Sequence, residues 1–263
     1  MRAALIQLDG SLDAPLAERV ERVAGLVRAQ RGADLVVLPE LWAHGAWATG
    51  SWAGAAEPLE GAVLAALRQA AADTGCVLHG GSMLERAPDG SVYNTSVVLG
   101  PDGALLAAYR KIHRFGFDGG EAAVLAAGDQ VVGVDALGCR LGLATCYDLR
   151  FPELFRLLVD DGAQAFVVAA SWPARRREHW QLLARARAVE DQAYVLACGQ
   201  SGVQDGVELA GHSAVIDPWG RVVAEAGPDE QVLTVDVDLG DVARVRAEFP
   251  VLRDRRLTPG SRV

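Results

Sequence analysis

The sequence is short of several features that would settle its class at once. No run of uncharged apolar residues approaches the roughly 18 that a membrane-crossing helix needs, so no membrane partner is expected. The apolar run at the N-terminus stops at Gln7 and Asp9. An export signal would need a longer apolar core and a small-residue cleavage site. Cysteine is scarce: Cys76, Cys139, Cys146 and Cys198 are scattered without CxxC spacing. They read as free thiols in a cytoplasmic protein, so the Asn94-Thr95-Ser96 sequon carries little weight. Positive charge is also in deficit. With 25 Lys+Arg against 34 Asp+Glu the net charge is −9, the wrong sign for a surface that grips phosphates, and no nucleic-acid partner is expected. The histidines (His44, His79, His113, His179, His212) lack HExxH or other metal-ligand spacing, so no metal site is read from them. Gly80-Gly81-Ser82 has no phosphate-loop lysine.

What the chain does have is apolar bulk, 51% of its 263 residues. That is enough for a sizeable core in one large α/β domain or two small ones. Strand and helix patterns alternate. Ala3–Leu8, Asp34–Leu38 and Cys76–Gly80 read as strands, with helices between them carrying Leu16, Val20, Val23 and Val27, then Val63, Leu67 and Ala70. Tyr93–Leu99 and Ala104–Tyr109 flank the hairpin signal Gly100-Pro101-Asp102-Gly103. The second half repeats the theme. Arg140–Ala144, Ala165–Ala170 and Ala193–Cys198 read as buried strands, one helix opens at Pro152, and another carries Trp180, Leu183 and Val189. Ser213–Ile216 and Arg221–Ala224 flank Asp217-Pro218-Trp219-Gly220, followed by a strand at Val232–Val237 and a helix at Leu239–Phe249. Hairpins mixed with βα units predict two sheets packed face to face with helices outside, rather than one doubly wound parallel sheet. No Gly/Ser/Pro linker divides the chain, so residues 1–263 read as a single domain. The basic end at residues 253–263 reads as a tail that reaches a partner subunit.

Three residues stand where chemistry could be done. Cys146 ends a buried strand immediately before a turn and a Pro-opened helix, a context that presents a nucleophile above a sheet. Taken alone, a buried structural cysteine is the common alternative, but Thr145, Asp148 and Arg150 make this neighbourhood polar. Glu40 follows the apolar run Leu-Val-Val-Leu-Pro, where a carboxylate is partly desolvated, as a general base requires; an ordinary loop-top ion pair is its alternative. Lys111 lies beside Arg110 at a strand end. Side chains alternate along a strand, so only one of the two cations can point inward. Asp148, Arg150 and Glu153 read as an ion-pair network that fixes the turn presenting Cys146. Gly211-His212-Ser213-Ala214 looks faintly like a serine-hydrolase elbow, but a β-run rather than a helix follows it.

In order along the chain, Leu38-Pro39-Glu40, Tyr109-Arg110-Lys111-Ile112-His113 and Cys146-Tyr147-Asp148-Leu149-Arg150-Phe151-Pro152-Glu153 resemble the nitrilase superfamily of carbon–nitrogen hydrolases. Tyr93-Asn94-Thr95, Ala188-Val189-Glu190-Asp191-Gln192, Gly211-His212-Ser213 and Asp217-Pro218-Trp219-Gly220 support the resemblance, which runs from about residue 3 to about residue 255. It implies an α/β (α+β) fold, a four-layer α-β-β-α sandwich, with a Glu-Lys-Cys triad and no metal or cofactor. The triad would be Glu40 as base, Lys111 as oxyanion partner and Cys146 as nucleophile, with the Tyr147 backbone N–H as a second oxyanion donor. A second glutamate, Glu121, would assist from the rim of the site, and Lys111 would lower the thiol pKa. A homodimer paired through helices beside the active site is also implied. Cys146-Tyr147-Asp148-Leu149-Arg150-Phe151 and the Trp172-Pro173-Ala174…His179-Trp180 stretch resemble the ω-amidase branch, which acts on 2-oxoglutaramate or 2-oxosuccinamate, and the tyrosine after the cysteine matches amidases better than nitrilases. N-carbamoyl-amino-acid, deaminated-glutathione and aliphatic amide hydrolysis are the neighbouring readings. A non-catalytic acyl-ligand-binding member and an acyl transferase are rivals of other classes. Trp172, Arg175 and Arg176 mark the rim where the far end of a small acidic amide would lie, with Arg175 the first choice to grip its carboxylate.

Overall fold

The structure is a computed structural model that describes residues 1–116 and 119–257. The expected basic tail lies partly outside those residues.

Two sheets are built from the two halves of the chain. The first takes β1 (Arg2–Asp9), β2 (Leu35–Val37), β3 (Val77–Arg86), β4 (Val92–Leu99) and β5 (Leu105–Arg110) side by side. The second takes β6 (Gly133–Ala136), β7 (Cys139–Thr145), β8 (Ala165–Ala169) and β9 (Tyr194–Cys198). The short β10 (Gln200–Ser201) crosses back to pair with β1, and β11 (Val203–Gln204) and β12 (Val207–Glu208) form a small hairpin. β13 (Ala214–Ile216) and β14 (Val222–Glu225) complete the second sheet, and β15 (Gln231–Asp236) pairs antiparallel with β1. The strands β1, β2 and β3 are mutually parallel, as are β7, β8 and β9, while the hairpin strands add antiparallel edges.

Alternation along β1 shows how the layers are made. Ala3 and Leu5 join Leu35, Val37, Leu141 and Leu143 in the core that the second sheet shares. Their neighbours Ala4, Ile6 and Leu8 pack instead with Val23 and Val27 of α1 (Leu16–Arg28) and with Val63, Leu67 and Ala70 of α3 (Ala62–Thr74). A strand buried on both faces reads as a continuous apolar run, as β1 does. On the far side, Leu154, Phe155 and Leu158 of α5 (Pro152–Asp160) and Trp180, Ala184 and Ala188 of α6 (Arg177–Asp191) cover the second sheet. Phe155 meets Phe166 of β8 edge to face, ring centroids 5.0 Å apart. The layers therefore run α-β-β-α. Two single-turn helices, α2 (Trp52–Ala55) and α4 (Glu121–Val124), and the C-terminal α7 (Gly240–Glu248) lie outside this scheme of two pairs.

Several element bounds differ from the sequence reading. β3 continues six residues past the expected end at Gly80, through a register shift between His79 and Ser82. At Gly81 φ is +67°, and a Cβ would come within 2.0 Å of the Pro39 carbonyl oxygen. Only glycine allows that approach, and it seats the Pro39-Glu40 turn against the sheet. β2 is shorter than expected, three residues, so Leu38-Pro39-Glu40 already belongs to the turn. β6 and α4 had no periodic signal. On α6 the buried stripe is Trp180, Ala184, Arg187, Ala188 and Asp191, whereas Val189 faces outward, 52% exposed.

Candidate active site

The carboxyl ends of parallel strands in both sheets open into one crevice, a common place for a site in such sheets. Glu40 follows β2, Cys146 follows β7, and Ser171 follows β8; Lys111 follows the antiparallel β5, and Glu121 begins α4. All five line a single cleft with Trp47, Phe115, Tyr147, Trp172 and the two arginines Arg150 and Arg176.

Lys111 is set by its strand. Its backbone N–H donates to the Asn94 carbonyl at 2.8 Å, continuing the β4–β5 ladder. Alternation then turns Arg110 outward onto Glu85, with contacts of 2.5 and 3.0 Å, and Lys111 inward. Lys111 is 2% exposed. Its Nζ donates to Glu40 Oε1 and to Glu121 Oε2, each at 2.7 Å. Asn94 bridges the same carboxylates, its Nδ2 lying 2.9 Å from Glu40 Oε1 and 2.9 Å from Glu121 Oε1. The Ser171 backbone N–H donates to Glu40 Oε2 at 3.0 Å, and the Phe115 N–H to Glu121 Oε2 at 2.6 Å. Burial opposes the Lys111 ammonium, but the flanking Glu121 and Glu40 outweigh it and hold its pKa well above the ordinary range. Glu121 itself is held above the usual carboxylate range by burial, which Lys111 only partly offsets.

Glu121 is therefore not at the rim. It is 5% exposed and locked into the cluster, because α4 begins on it and turns its side chain back under the Phe115 segment. Asn94, absent from the sequence-derived set, is the polar bridge of the site. Lys111 also carried an unused signal: it is the only lysine in a chain that otherwise uses arginine for its cations.

Cys146 sits at φ +49°, in the left-handed region. A non-glycine residue there costs about 1–3 kcal/mol and persists only where its surroundings over-determine it. A reciprocal cap does so: the Thr145 backbone N–H donates to Asp148 Oδ2 at 2.9 Å, and the Thr145 side chain accepts from the Asp148 backbone. Pro152 then opens α5 at its first turn. Cys146 is 8% exposed. Burial pushes its pKa well above the ordinary range, Glu40 adds to the rise, and Lys111 offsets only part of it. The expectation of a thiol lowered by Lys111 is thus reversed, because burial and a neighbouring carboxylate win. The other three cysteines are buried and free, away from the cleft.

The outer wall corrects the rim assignment. Arg175 is exposed and does not line the cleft, whereas Arg176 does. Arg176 lies over the Phe115 ring at 5.3 Å, and its Nη2 has no hydrogen-bond partner. Arg150 is the other cleft arginine. It lies over Trp172 at 4.9 Å and contacts His179 Nδ1 at 3.2 Å. The expected Asp148–Arg150–Glu153 ion-pair network does not form; among the described residues Arg150 and Arg176 have no carboxylate partner. Trp172 donates its indole N–H to the Arg176 carbonyl at 2.8 Å and fixes that turn. Tyr147 packs edge to face between Phe115 and Phe151, at 5.3 and 5.2 Å. Ser213 points elsewhere, donating to Gln7 Oε1 at 2.8 Å. Among the described residues no three His, Cys, Asp or Glu side chains are placed to hold a metal ion.

A buried carboxylate–ammonium–thiol constellation opening on a cleft defines a class of thiol-dependent hydrolases acting on acyl compounds. Comparison with known proteins narrows the class. The family model of carbon-nitrogen hydrolases matches residues 2–247. The chain is 42% identical to the 2-oxoglutaramate amidase of Paenarthrobacter nicotinovorans, over 92% of this chain and 84% of that protein. It is 37% identical to omega-amidase NIT2 of Mus musculus, over 97% of this chain and 95% of that one. A solved structure of a Glu-to-Leu mutant of the amidase from Nesterenkonia sp. AN1 superposes with a TM-score of 0.85 at 27% identity, covering 97% of this chain and 94% of that chain. That structure carries the acetamide moiety of fluoroacetamide covalently added at its active-site cysteine. The chain belongs to the carbon–nitrogen hydrolase family, and its activity is that of an amidase.

Proposed function

We propose that the chain hydrolyses the ω-amide of a 2-oxo dicarboxylate to the free acid and ammonia, with Cys146 as nucleophile. The observation that carries this reading is the composition of the cleft. Its floor is the Glu40–Lys111–Glu121 cluster beside Cys146, and its outer wall holds Arg150 and Arg176 without carboxylate partners among the described residues. A substrate with an amide at one end and a carboxylate at the other matches both.

In this reading Glu40 takes the thiol proton as Cys146 Sγ attacks the carboxamide carbon. The oxyanion is held by Lys111 Nζ and the Tyr147 backbone N–H; one such donor is typically worth about 3–4 kcal/mol of barrier. Glu40 passes its proton to the departing nitrogen, ammonia leaves, and a thioester remains. Water then enters, Glu40 takes its proton as the oxygen attacks the thioester, and collapse of the second oxyanion releases the acid and the Cys146 sulfur, which takes the proton back from Glu40. Glu121 holds Lys111 and the Phe115 segment in place throughout and lines the cleft where water would sit. Arg176, backed by Arg150, grips the far carboxylate, and Trp172 supports the turn that carries Arg176. The relatives' names, 2-oxoglutaramate amidase and omega-amidase, support the substrate class.

The reading takes residues 1–263 as one catalytic domain, which the core shared by both sheets supports. It also takes the enzyme as a homodimer. Leu157 of α5, Leu182 and Val189 of α6, and the stacked pair of Trp219 in the β13–β14 turn and Phe249 at the end of α7 are exposed apolar groups, the kind of surface a second copy covers. Four buried free thiols suit a reducing cytoplasm.

The test is an ammonia-release screen of ω-amides of 2-oxo acids, N-carbamoyl amino acids, neutral aliphatic amides and nitriles. Preference for the ω-amides supports the proposal. Equal or better turnover of neutral amides refutes the substrate assignment and leaves a broad aliphatic amidase.

A further inference from the structure

The segment that carries Lys111 and the turn that carries Cys146 are joined through one side chain. Asp148 is fully buried. Its Oδ2 accepts from the Tyr109 hydroxyl at 2.7 Å and from the Thr145 backbone N–H at 2.9 Å. Its Oδ1 accepts from the His113 backbone N–H at 3.0 Å and contacts His113 Nδ1 at 2.8 Å. Tyr109 and His113 flank Lys111 two residues to either side, and Thr145 and Asp148 flank Cys146. One carboxylate thus receives donors from both active-site segments, which otherwise come from different sheets.

We propose that His113 and Tyr109 are positioning residues that act through Asp148 to fix the Lys111 ammonium relative to the Cys146 sulfur. This rests on the reading above, in which Lys111 serves the oxyanion formed at Cys146.

Three features point the same way. The Tyr109 hydroxyl donates to Asp148 while accepting the Ile112 N–H at 3.3 Å, so it spans Lys111 on its own chain. Burial, and then the Asp148 charge, hold the Tyr109 phenol well above the ordinary tyrosine range, which keeps its proton available to donate. The His113 ring is stacked on Phe151 at 3.7 Å with the planes 5° apart, which fixes the direction of Nδ1. With the His113 backbone N–H already on Oδ1, an Nδ1–H pointing at the same oxygen is the tautomer that satisfies the carboxylate. Its side chain is 26% exposed, against 0% for Asp148, so a replacement at His113 disturbs the packing less than one at Asp148. The Cys146 turn is strained, and its cap uses the same Oδ2 that Tyr109 holds. Loosening Asp148 therefore moves the nucleophile and the ammonium apart rather than unfolding a layer. Misplacement of about 1 Å between reacting groups can cost on the order of 100-fold in rate.

The experiment compares Tyr109→Phe, His113→Leu and His113→Asn with the unmodified enzyme and with Lys111→Met. Turnover is measured on 2-oxoglutaramate and, independently of amide preference, on p-nitrophenyl acetate, with active sites counted by iodoacetamide incorporated at Cys146. We expect His113→Leu and Tyr109→Phe each to lower kcat per counted site by about tenfold on both substrates. KM should stay within about twofold, because the substrate's own contacts remain. His113→Asn, whose amide can donate to Oδ1, should recover most of the loss. Unchanged kcat per site in His113→Leu, a loss confined to KM, or an Asn variant no better than Leu overturns the proposal. If Lys111→Met abolishes turnover while both flanking variants keep it, the joint fails and the proposed function stands. If Lys111→Met itself turns over normally, both fall.

Discussion

Replacing Arg176 by alanine probes the substrate assignment most directly. Arg176 lies in the cleft wall with its guanidinium over Phe115 and Nη2 unpartnered. Burial first, and then Arg175 and Arg150 nearby, lower its pKa; a carboxylate arriving there would relieve that crowding. A hydrogen bond to a charged group contributes about 1.5–3 kcal/mol. The wall is partly open to solvent and Arg150 remains beside it, so the lower end applies, about 1.5 kcal/mol, or a little over tenfold in KM. The assay is steady-state ammonia release from an ω-amide carrying a carboxylate and from a neutral amide of similar length, at two salt concentrations. Arg176→Ala should raise KM for the acidic amide about tenfold with kcat little changed, and added salt should weaken binding more in the unmodified enzyme than in the variant, which keeps Arg150. The neutral amide should be indifferent to both. Arg175→Ala is the control, since Arg175 is exposed and outside the cleft. An equal KM rise for both amides, or an effect at Arg175 matching that at Arg176, would refute the reasoning.

Iodoacetamide should incorporate one equivalent, mapped by mass spectrometry to Cys146, with a rate that climbs through the alkaline range because burial raises the thiol pKa; activity loss tracking Cys76, Cys139 or Cys198 would contradict this. Glu40→Gln should retain the fold yet lose turnover by at least 100-fold, and near-normal ammonia release would exclude Glu40 as the base. Lys111→Arg should lose about 100-fold or more in kcat despite keeping the charge, and activity within tenfold of the original would remove the ammonium from the oxyanion's role. Asp191 is fully buried beside Arg156, and burial raises its pKa from 3.8 to about 7. The folded state then holds a proton that the unfolded chain has lost, so stability falls as pH rises through that window. The slope is at most about 1.4 kcal/mol per pH unit. Urea midpoints at pH 5 and pH 8 should show this fall, and Asp191→Asn should flatten it; an Asn variant with the same pH slope would exclude Asp191 as its source.

How far the site was legible follows from what each residue's position depends on. Glu40 and Cys146 could be read as strand-end residues because an apolar run announces a buried strand and the first polar group after it marks the exit. Strand alternation posed the choice between Arg110 and Lys111 but could not make it, since the answer depends on which face of β5 meets the other sheet. Glu121 was misread as a rim group because its helix has only four residues, too few to show a period. The three arginines after Pro173 lie on a short 3-10 turn running into α6, where one residue's difference rotates a side chain from solvent into the cleft. Arg150, expected to pair with Asp148, faces the cleft instead. Apart from the Thr145 N–H of its own turn, the partners Asp148 has come from a strand and loop more than thirty residues earlier, beyond any local pattern. The thiol's direction of shift was misjudged for a related reason: a lysine beside a cysteine is visible in motif order, whereas the depth of burial that outweighs it is not.

The charge count of the buried cluster explains why it has this composition. With the thiol protonated and both carboxylates ionised, Glu40, Glu121 and Lys111 carry one net negative charge in a region almost closed to water. Ionising Cys146 at rest would add a second, at the high cost of a buried unpaired charge, which is consistent with the raised thiol pKa. In the proposed attack the proton moves to Glu40 as negative charge appears on the substrate oxygen, so the net charge of the cluster is the same before and after. The enzyme then has no new charge to desolvate; it only moves one from Glu40 to a point beside Lys111. A lysine ammonium has three donors and no plane. Two of them are committed to Glu40 and Glu121, and the third remains for the oxyanion. A guanidinium spreads five donors in a flat fork and cannot place three of them around one compact centre. That requirement gives a physical reason for the chain's single lysine to stand at this position among its arginines.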